Sequence, residues 1–296
     1  MANYLNRFPL WTALVTPLVP GGGIDYHGLE RLLLEQQTAG NGIVLLGSTG
    51  EGANLGRKDR ENVLRFATGL ELSVPLMVGV DGLQLEETLA WMDFYEGLAI
   101  DAYLMVTPLY AKPGAEGQRR WFEALLERSS RPCMLYNVPS RTGCSLSIDA
   151  LMALQGHPLF WSIKEASGDL ERFSAYVERL PQIAVFSGDD VLFPEQAARG
   201  AHGLISVMAN VWPTATTDFV RLALAGEADA RRAKLVQGAQ ALFSAANPVP
   251  VKHLLHAKGW ICSAEVRPPL HSSDMKRTEL LLELDQLIAT YEREAA

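Results

Sequence analysis

Residues 102–107 read Ala-Tyr-Leu-Met-Val-Thr, a run that would be apolar on both faces of an extended strand. Strands of this kind are typical of parallel sheets that are covered by helices on each side. A similar run, Ile-Val-Leu-Leu-Gly, occupies 43–47. With the comparable runs elsewhere, the sequence predicts eight strands, at 11–16, 43–47, 76–80, 102–107, 133–138, 161–165, 183–187 and 203–208.

Helical patterns separate these strands. Leu29, Leu32 and Leu33, for example, recur at helical spacing. Gly40 is placed to end that helix. Eight alternating strand and helix units predict an α/β fold, a (β/α)8 TIM barrel, as the catalytic domain over 1–215. A doubly wound open sheet is the alternative, but it would leave the regular count of eight unexplained.

After the last predicted strand, the chain contains helical patterns alone. They lie at 222–225, 228–245, 251–258 and 275–291. The sequence therefore predicts a C-terminal helical subdomain over 216–296.

Composition narrows the class of partner. The chain has 296 residues, 48% of them hydrophobic, and a net charge of −8. Nucleic-acid binding normally leaves a basic footprint, so we expect neither nucleic acid nor an anionic membrane as a partner.

The three cysteines show no metal-ligand spacing, and no basic, apolar leader or membrane-length apolar run is present. We expect a cytoplasmic protein without a metal site.

In a barrel, reactive groups lie where strands end and loops begin. Lys164 lies near the end of the sixth predicted strand, and alternation places it on the face opposite Trp161 and Ile163. If that face is the barrel interior, burial lowers the lysine pKa, and the neutral amine can attack a ketone. A lysine that simply pairs with the adjacent Glu165 is equally compatible with the sequence.

Two tyrosines lie at or just after the ends of neighbouring strands. Tyr136, at the end of the fifth strand, could pass protons, although a core tyrosine with a satisfied hydroxyl is the simpler interpretation. Tyr110 follows the fourth strand, in a loop where an exposed aromatic is the ordinary interpretation.

The run Gly-Ser-Thr-Gly-Glu at 47–51 directly follows the second strand. Its glycines allow the backbone to approach a ligand, and its hydroxyls offer donors to a carboxylate. It is too short for a phosphate loop and lacks the lysine of one, so a tight turn is the remaining alternative.

Considered together, these motifs resemble the dihydrodipicolinate synthase and N-acetylneuraminate lyase family of pyruvate-dependent aldolases. The resemblance covers essentially the whole chain, from TALVTP at 12–17 to NPVPVKHLLHAKG at 247–259. The motifs between them that match in order and spacing are GSTGE, TPLYAKP, YNVPSRTG, IKEASGDL, FSGDD and GLISVMAN.

The resemblance implies a role for each site residue. Lys164 would form a Schiff base with pyruvate, Tyr136 would donate and accept protons, and Ser48 would complete a hydroxyl relay with Tyr110 of a neighbouring subunit. The residues implied to bind substrate are Thr49 and the backbone of Ile205 for pyruvate, Gly188 in the pocket wall, and Arg141 for the carboxylate of the second substrate. It also implies a dimer or tetramer, and no cofactor beyond the covalent pyruvate.

The substrate is the point on which the family divides. Ser48 looks more like the lyases, whereas Arg141 looks like the synthases, whose second substrate carries a carboxylate. Because a serine hydroxyl can still relay a proton, the arginine has the greater weight. The resemblance therefore implies condensation of pyruvate with L-aspartate 4-semialdehyde. The alternatives are a lyase for sialic acid or 2-keto-3-deoxy sugar acids, and a catalytically silent barrel that senses a keto acid.

Overall fold

The computed structural model describes residues 2–227, 231–276 and 278–295. Its eight strands form a closed parallel barrel in chain order. They are β1 Leu10–Ala13, β2 Gly42–Leu45, β3 Leu76–Val80, β4 Ala102–Val106, β5 Cys133–Asn137, β6 Phe160–Glu165, β7 Ala184–Ser187 and β8 Gly203–Ser206. The predicted TIM barrel is confirmed, and the open-sheet alternative is wrong.

Helices follow the strands and continue after the last one. They are α1 Ala2–Leu5, α2 Tyr26–Ala39, α3 Arg57–Gly69, α4 Leu85–Glu96, α5 Ala115–Arg128, α6 Pro139–Thr142, α7 Ile148–Leu154, α8 Leu170–Arg179, α9 Phe193–Ala198, α10 Pro213–Leu224, α11 Arg232–Leu242, α12 Val249–Ala257 and α13 Glu279–Ala295. Short 3₁₀ turns lie at Gly52–Asn54, Met208–Asn210 and Ser272–Asp274. Residues 228–230 and 277 of two predicted helices lie outside the described ranges. None of the helices within those ranges is long and apolar enough to cross a membrane.

Local chemistry explains where α2 begins and ends. The Asp25 carboxylate accepts a hydrogen bond from the Gly28 amide at 2.9 Å, which satisfies an amide that has no partner within the helix. The helix ends, as predicted, at Gly40, whose φ of 73° lies in the left-handed region. Leu29, Leu32 and Leu33 are fully buried, as the helical spacing predicted.

The strands begin within one residue of the predicted positions, but β1, β2 and β8 end two or three residues earlier than predicted. After β2 the chain leaves the extended region at Leu46, where φ is 54°. After β8 it enters the 3₁₀ turn Met208–Asn210. Apolar character continues past the hydrogen-bonded ladder at these points, so hydropathy alone extends the strand into the loop.

The chain divides into two compact units. The first comprises 1–9 and 75–205, which includes β3 to β7, and the second comprises 10–74 and 206–296. In the second unit, Trp212 donates its indole N–H to Asp285 of α13 at 2.8 Å. The predicted boundary between a barrel and a helical subdomain at residue 215 stays a prediction.

Candidate active site

Lys164 lies near the end of β6, in the first unit, and only 6% of its surface is exposed. Its backbone pairs in register with Tyr136 of β5. The two side chains also meet, because Lys164 Nζ lies 4.3 Å from the centre of the Tyr136 ring. Two residues that the sequence singled out separately therefore form one site.

Glu165, next along β6, has its hydrogen bonds elsewhere. Its carboxylate accepts one from Asn137 Nδ2 at 2.6 Å and one from the Ser167 amide at 2.6 Å. Successive strand residues point to opposite faces, which separates the carboxylate from Lys164. Within the described ranges, the ion pair between Lys164 and Glu165 considered from the sequence is not found.

Burial dominates the electrostatics of Lys164 and lowers its pKa from 10.5 to about 7. The nearby Asp190 carboxylate acts in the opposite direction, whereas the Arg141 guanidinium lowers the pKa further. Asp190 is itself buried, and the sequence interpretation did not single it out although it lies in the FSGDD motif. Near pH 7, a large fraction of the molecules therefore has Lys164 as a neutral amine, the form that attacks carbonyls.

Gly188 makes room for this lysine. A Cβ atom at position 188 would lie 2.7 Å from Lys164 Cε and 2.7 Å from Ala166 Cβ. The Gly188 amide also donates to the Glu165 carbonyl at 2.7 Å, which holds the backbone against β6. A side chain at this position would therefore displace Lys164, so glycine is required by the close approach.

Arg141 lies on α6, the single helical turn that follows β5. That turn begins at Pro139 and ends at Gly143, where φ is 74°. The Arg141 side chain is exposed, and no ion pair of its guanidinium is found within the described ranges. It is available for an anionic ligand and close enough to Lys164 to lower the pKa of the amine.

Tyr110 lies on the surface of the first unit, with 89% of its surface exposed. Its φ of 64° is in the left-handed region, which a bulky residue seldom adopts. Such backbone outliers cluster at functional sites.

Ser48 and Thr49 follow β2 in the second unit. Ser48 is exposed, whereas Thr49 is buried and accepts a hydrogen bond from Asn247 Nδ2 at 2.9 Å. The turn around them is tight, since a Cβ at Gly52 would lie 2.0 Å from the Leu46 carbonyl oxygen. Ile205 of β8 is buried. The implied roles of Ser48, Thr49 and Ile205 stay predictions.

The sequence interpretation also missed contacts to Glu51, the last residue of the GSTGE motif. The buried Glu51 carboxylate pairs with the ammonium of Lys252, which lies on α12. The only sequence signal for this pairing is that both residues belong to motifs of the resemblance. Within the described ranges, no group of three or more His, Cys, Asp or Glu side chains could hold a metal ion.

Comparisons with known proteins agree with this geometry. Residues 8–287 match the model of the dihydrodipicolinate synthetase family. The 4-hydroxy-tetrahydrodipicolinate synthase of Francisella tularensis subsp. novicida (strain U112) is 45% identical over 280 residues, which cover 94% of this chain and 95% of that relative.

Solved structures are similar over the same extent. Chloride-inhibited dihydrodipicolinate synthase from Acinetobacter baumannii, crystallised with pyruvate, aligns with a TM-score of 0.86 at 32% identity, over 98% of this chain and 99% of that one. A dihydrodipicolinate synthase variant described as the first monomeric one aligns with a TM-score of 0.86 at 27% identity, over 100% of this chain and 99% of that one. Since the family model and these relatives each span nearly the whole sequence, this chain belongs to the dihydrodipicolinate synthetase family.

Proposed function

We propose that this chain is a 4-hydroxy-tetrahydrodipicolinate synthase, a Schiff-base aldolase that condenses pyruvate with L-aspartate 4-semialdehyde in the diaminopimelate route to lysine. The observation that carries the proposal is the buried Lys164 amine, which packs on Tyr136 and has its pKa lowered to about 7. The similarity to the Francisella 4-hydroxy-tetrahydrodipicolinate synthase supports a synthase over a lyase, and the exposed Arg141 side chain suits an acceptor that carries a carboxylate.

The chemistry begins when Lys164 Nζ attacks the ketone carbon of pyruvate. Loss of water from the adduct leaves a protonated imine, and loss of a proton from the pyruvate methyl group then gives an enamine. The enamine carbon attacks the aldehyde carbon of the second substrate, whose oxygen takes up a proton. Finally, the amino group of that substrate attacks the imine carbon, so the ring closes and Lys164 leaves as the free amine.

The protonated imine is the electron sink in this sequence of steps. The proposed reaction therefore needs no metal ion and no cofactor, because the pyruvate bound covalently to Lys164 is itself a substrate. Tyr136 is the group proposed to carry protons, because its ring already lies against Lys164 Nζ. Ser48 and Tyr110 of a neighbouring subunit would complete the hydroxyl relay with Tyr136.

Substrate binding is assigned to the remaining residues. Thr49 and the backbone of Ile205 would hold pyruvate, and Gly188 would form the wall beside Lys164. Arg141 would bind the carboxylate of aspartate semialdehyde through charge-assisted hydrogen bonds.

We also propose that the working unit is at least a dimer, and a tetramer as a pair of such dimers. Tyr110 supports this, because its ring is 89% exposed while its backbone has a φ of 64°, a conformation that a bulky residue keeps only where function or its surroundings require it. If it completes the site of a neighbouring subunit, a two-fold interface forms two sites at once. The similar protein described as monomeric makes this proposal a matter for experiment.

A substrate panel with pyruvate as the common donor tests the function. Turnover with aspartate semialdehyde, without cleavage of sialic acid or 2-keto-3-deoxy sugar acids, is the expected result.

Incubation with pyruvate and borohydride should place the reduced adduct on the peptide that contains Lys164. Lys164→Ala should abolish the adduct, and Lys58→Ala, which removes an exposed lysine on α3, should not. An adduct on another lysine would refute the role of Lys164, and the absence of any adduct would leave a silent keto-acid sensor as the alternative.

A further inference from the structure

The GSTGE turn (residues 47–51) is tied to a distant part of the second unit, the segment 247–267. Three hydrogen bonds with buried donors or acceptors connect them, and they involve Thr49 and Glu51 on the turn. The two segments are about 200 residues apart in the chain, as the separation of 198 between Thr49 and Asn247 shows. Neither Asn247 nor Lys252 has a role in the mechanism proposed above.

Glu51 anchors the end of the turn. One carboxylate oxygen is paired with Lys252 Nζ, and the other accepts from the Arg267 amide at 2.6 Å. Lys252 Nζ also donates to the Glu265 carbonyl at 2.9 Å. The side chains of Glu51 and Lys252 are 1% and 0% exposed. A buried pair of this kind is tolerated only when its geometry is satisfied, so it holds the turn in one position.

The hydrogen bond between Asn247 and Thr49 matters for which of the two groups donates. Asn247 Nδ2 donates to Thr49 Oγ1 at 2.9 Å, so the hydroxyl is the acceptor. A hydroxyl has one proton and can donate it while it accepts. The amide therefore leaves the Thr49 proton free for another acceptor. If the amide oxygen faced Thr49 instead, it would take that proton.

The amide oxygen of Asn247 strengthens this interpretation. Asn247 is 8% exposed, and its Oδ1 is buried without a hydrogen-bond partner within the described ranges. An unsatisfied buried acceptor costs free energy and calls for a functional explanation. In this arrangement Asn247 Oδ1 lacks a hydrogen bond, while the hydroxyl proton of Thr49 stays available for donation.

We propose that Asn247 is a positioning residue for the keto-acid substrate. By donating to Thr49 Oγ1, it reserves the Thr49 proton for the substrate carboxylate, on a turn that the Glu51–Lys252 pair holds in place. This inference rests on the proposed function, in which Thr49 binds pyruvate. It assigns a specificity role to a residue that is distant from Lys164 in the sequence.

The first test compares Asn247→Asp with Asn247→Ala at pH 8. An ionised carboxylate can only accept, so it takes the Thr49 proton and repels the substrate anion. We expect Asn247→Asp to raise the pyruvate KM on the order of tenfold or more, with the semialdehyde KM changed less than about twofold. Asn247→Ala leaves the Thr49 proton free but unoriented and should cost less. The increase in pyruvate KM caused by Asn247→Asp, relative to wild type, should become smaller at lower pH, because the introduced carboxyl gains a proton.

A purely structural role predicts no selectivity for pyruvate. A buried carboxylate or a lost side chain would then disturb the site as a whole, so the KM of both substrates and the free energy of unfolding would change together. Asn41→Asp is the matched control, since Asn41 is buried in the same unit and bonds to Gln36 and Thr217. The control should leave the pyruvate KM unchanged.

A double-mutant cycle decides the question if Asn247→Asp fails to fold. Asn247→Ala should raise the pyruvate KM in the wild-type background and add nothing in a Thr49→Val background. Equal effects in both backgrounds would overturn the inference. Borohydride trapping separates the two proposals: an adduct on wild-type Lys164 with an unchanged pyruvate KM in both Asn247 variants would refute only the role of Asn247. Absence of that adduct would refute the proposed function and this role with it.

Discussion

Lys164 Nζ lies 4.3 Å from the centre of the Tyr136 ring, and the two residues are register partners on adjacent strands. An ammonium over an aromatic face gains about 0.5–2 kcal/mol, which favours the charged lysine. Yet the lysine pKa falls from 10.5 to about 7, equivalent to roughly 4–5 kcal/mol against the charge. The free-energy cost of desolvating the ammonium therefore exceeds its attraction to the Tyr136 ring, and the site favours the neutral amine.

This balance predicts a specific pH dependence of imine formation. Because only the neutral amine attacks pyruvate, the trapping rate should rise about tenfold per pH unit below the Lys164 pKa and level off above about 7. Arg141→Ala should move that midpoint upward, since the guanidinium lowers the pKa. Rates of adduct formation between pH 5.5 and 9 provide the measurement. A midpoint near 10 would contradict the burial argument.

Tyr136→Phe should preserve the fold but reduce kcat by about 10²-fold or more, the usual scale for a positioned proton-transfer group. The ring stays against Lys164 while the hydroxyl is lost. Tyr103→Phe is the control, because Tyr103 is a buried tyrosine on β4 whose hydroxyl donates to Glu96. If both variants turned over at the wild-type rate, Tyr136 would have no part in proton transfer.

Arg141→Ala should raise the KM for aspartate semialdehyde by about tenfold or more and that for pyruvate much less, because one carboxylate loses its charged partner. Steady-state kinetics with each substrate varied in turn give the comparison. Arg120→Ala, at an exposed position on α5, should change neither constant. Equal effects of Arg141→Ala on both substrates would assign this residue to structural support.

Tyr110 should act in the site of a neighbouring subunit. Tyr110→Phe and Lys164→Ala variants, each nearly inactive, are mixed and refolded together. Random assortment makes half of the dimers mixed, and one of their two sites retains both groups, so activity should recover to about a quarter of the wild-type value per site. No recovery despite confirmed subunit exchange, or full activity from a verified wild-type monomer, would show that Tyr110 serves its own chain.

Lys252→Met should destabilise the protein by about 3–5 kcal/mol, because Glu51 would remain buried without its charged partner. Adding Glu51→Gln should recover part of that loss. Urea unfolding of the two variants measures both effects. Arg221→Met, which removes an exposed partner of Asp218, should change stability by less than about 1 kcal/mol. A Lys252→Met variant as stable as this control would show that the buried pair does not hold the turn.

Local patterns were sufficient for the fold class. Apolar runs and helix-ending glycines are short-range signals, and they located the eight strands and the end of α2 at Gly40. They failed at the ends of β1, β2 and β8, where the strand ends before the apolar run does. Leu46 illustrates the reason, since it is buried yet has a φ of 54°. Backbone direction at such positions is set by packing with the glycines of the next turn.

The sequence by itself determined which residues are candidates, because alternation along β6 separates Lys164 from its neighbours and the motifs fix the residue types. It could not decide between a neutral Lys164 and one paired with Glu165. That choice depends on desolvation and on the bonds that Asn137 and Ser167 make to Glu165. It also could not reveal that Asn247 bonds to Thr49, 198 residues away. Burial and hydrogen-bond direction arise from segments that only the folded chain brings together, so the tertiary structure alone decided them.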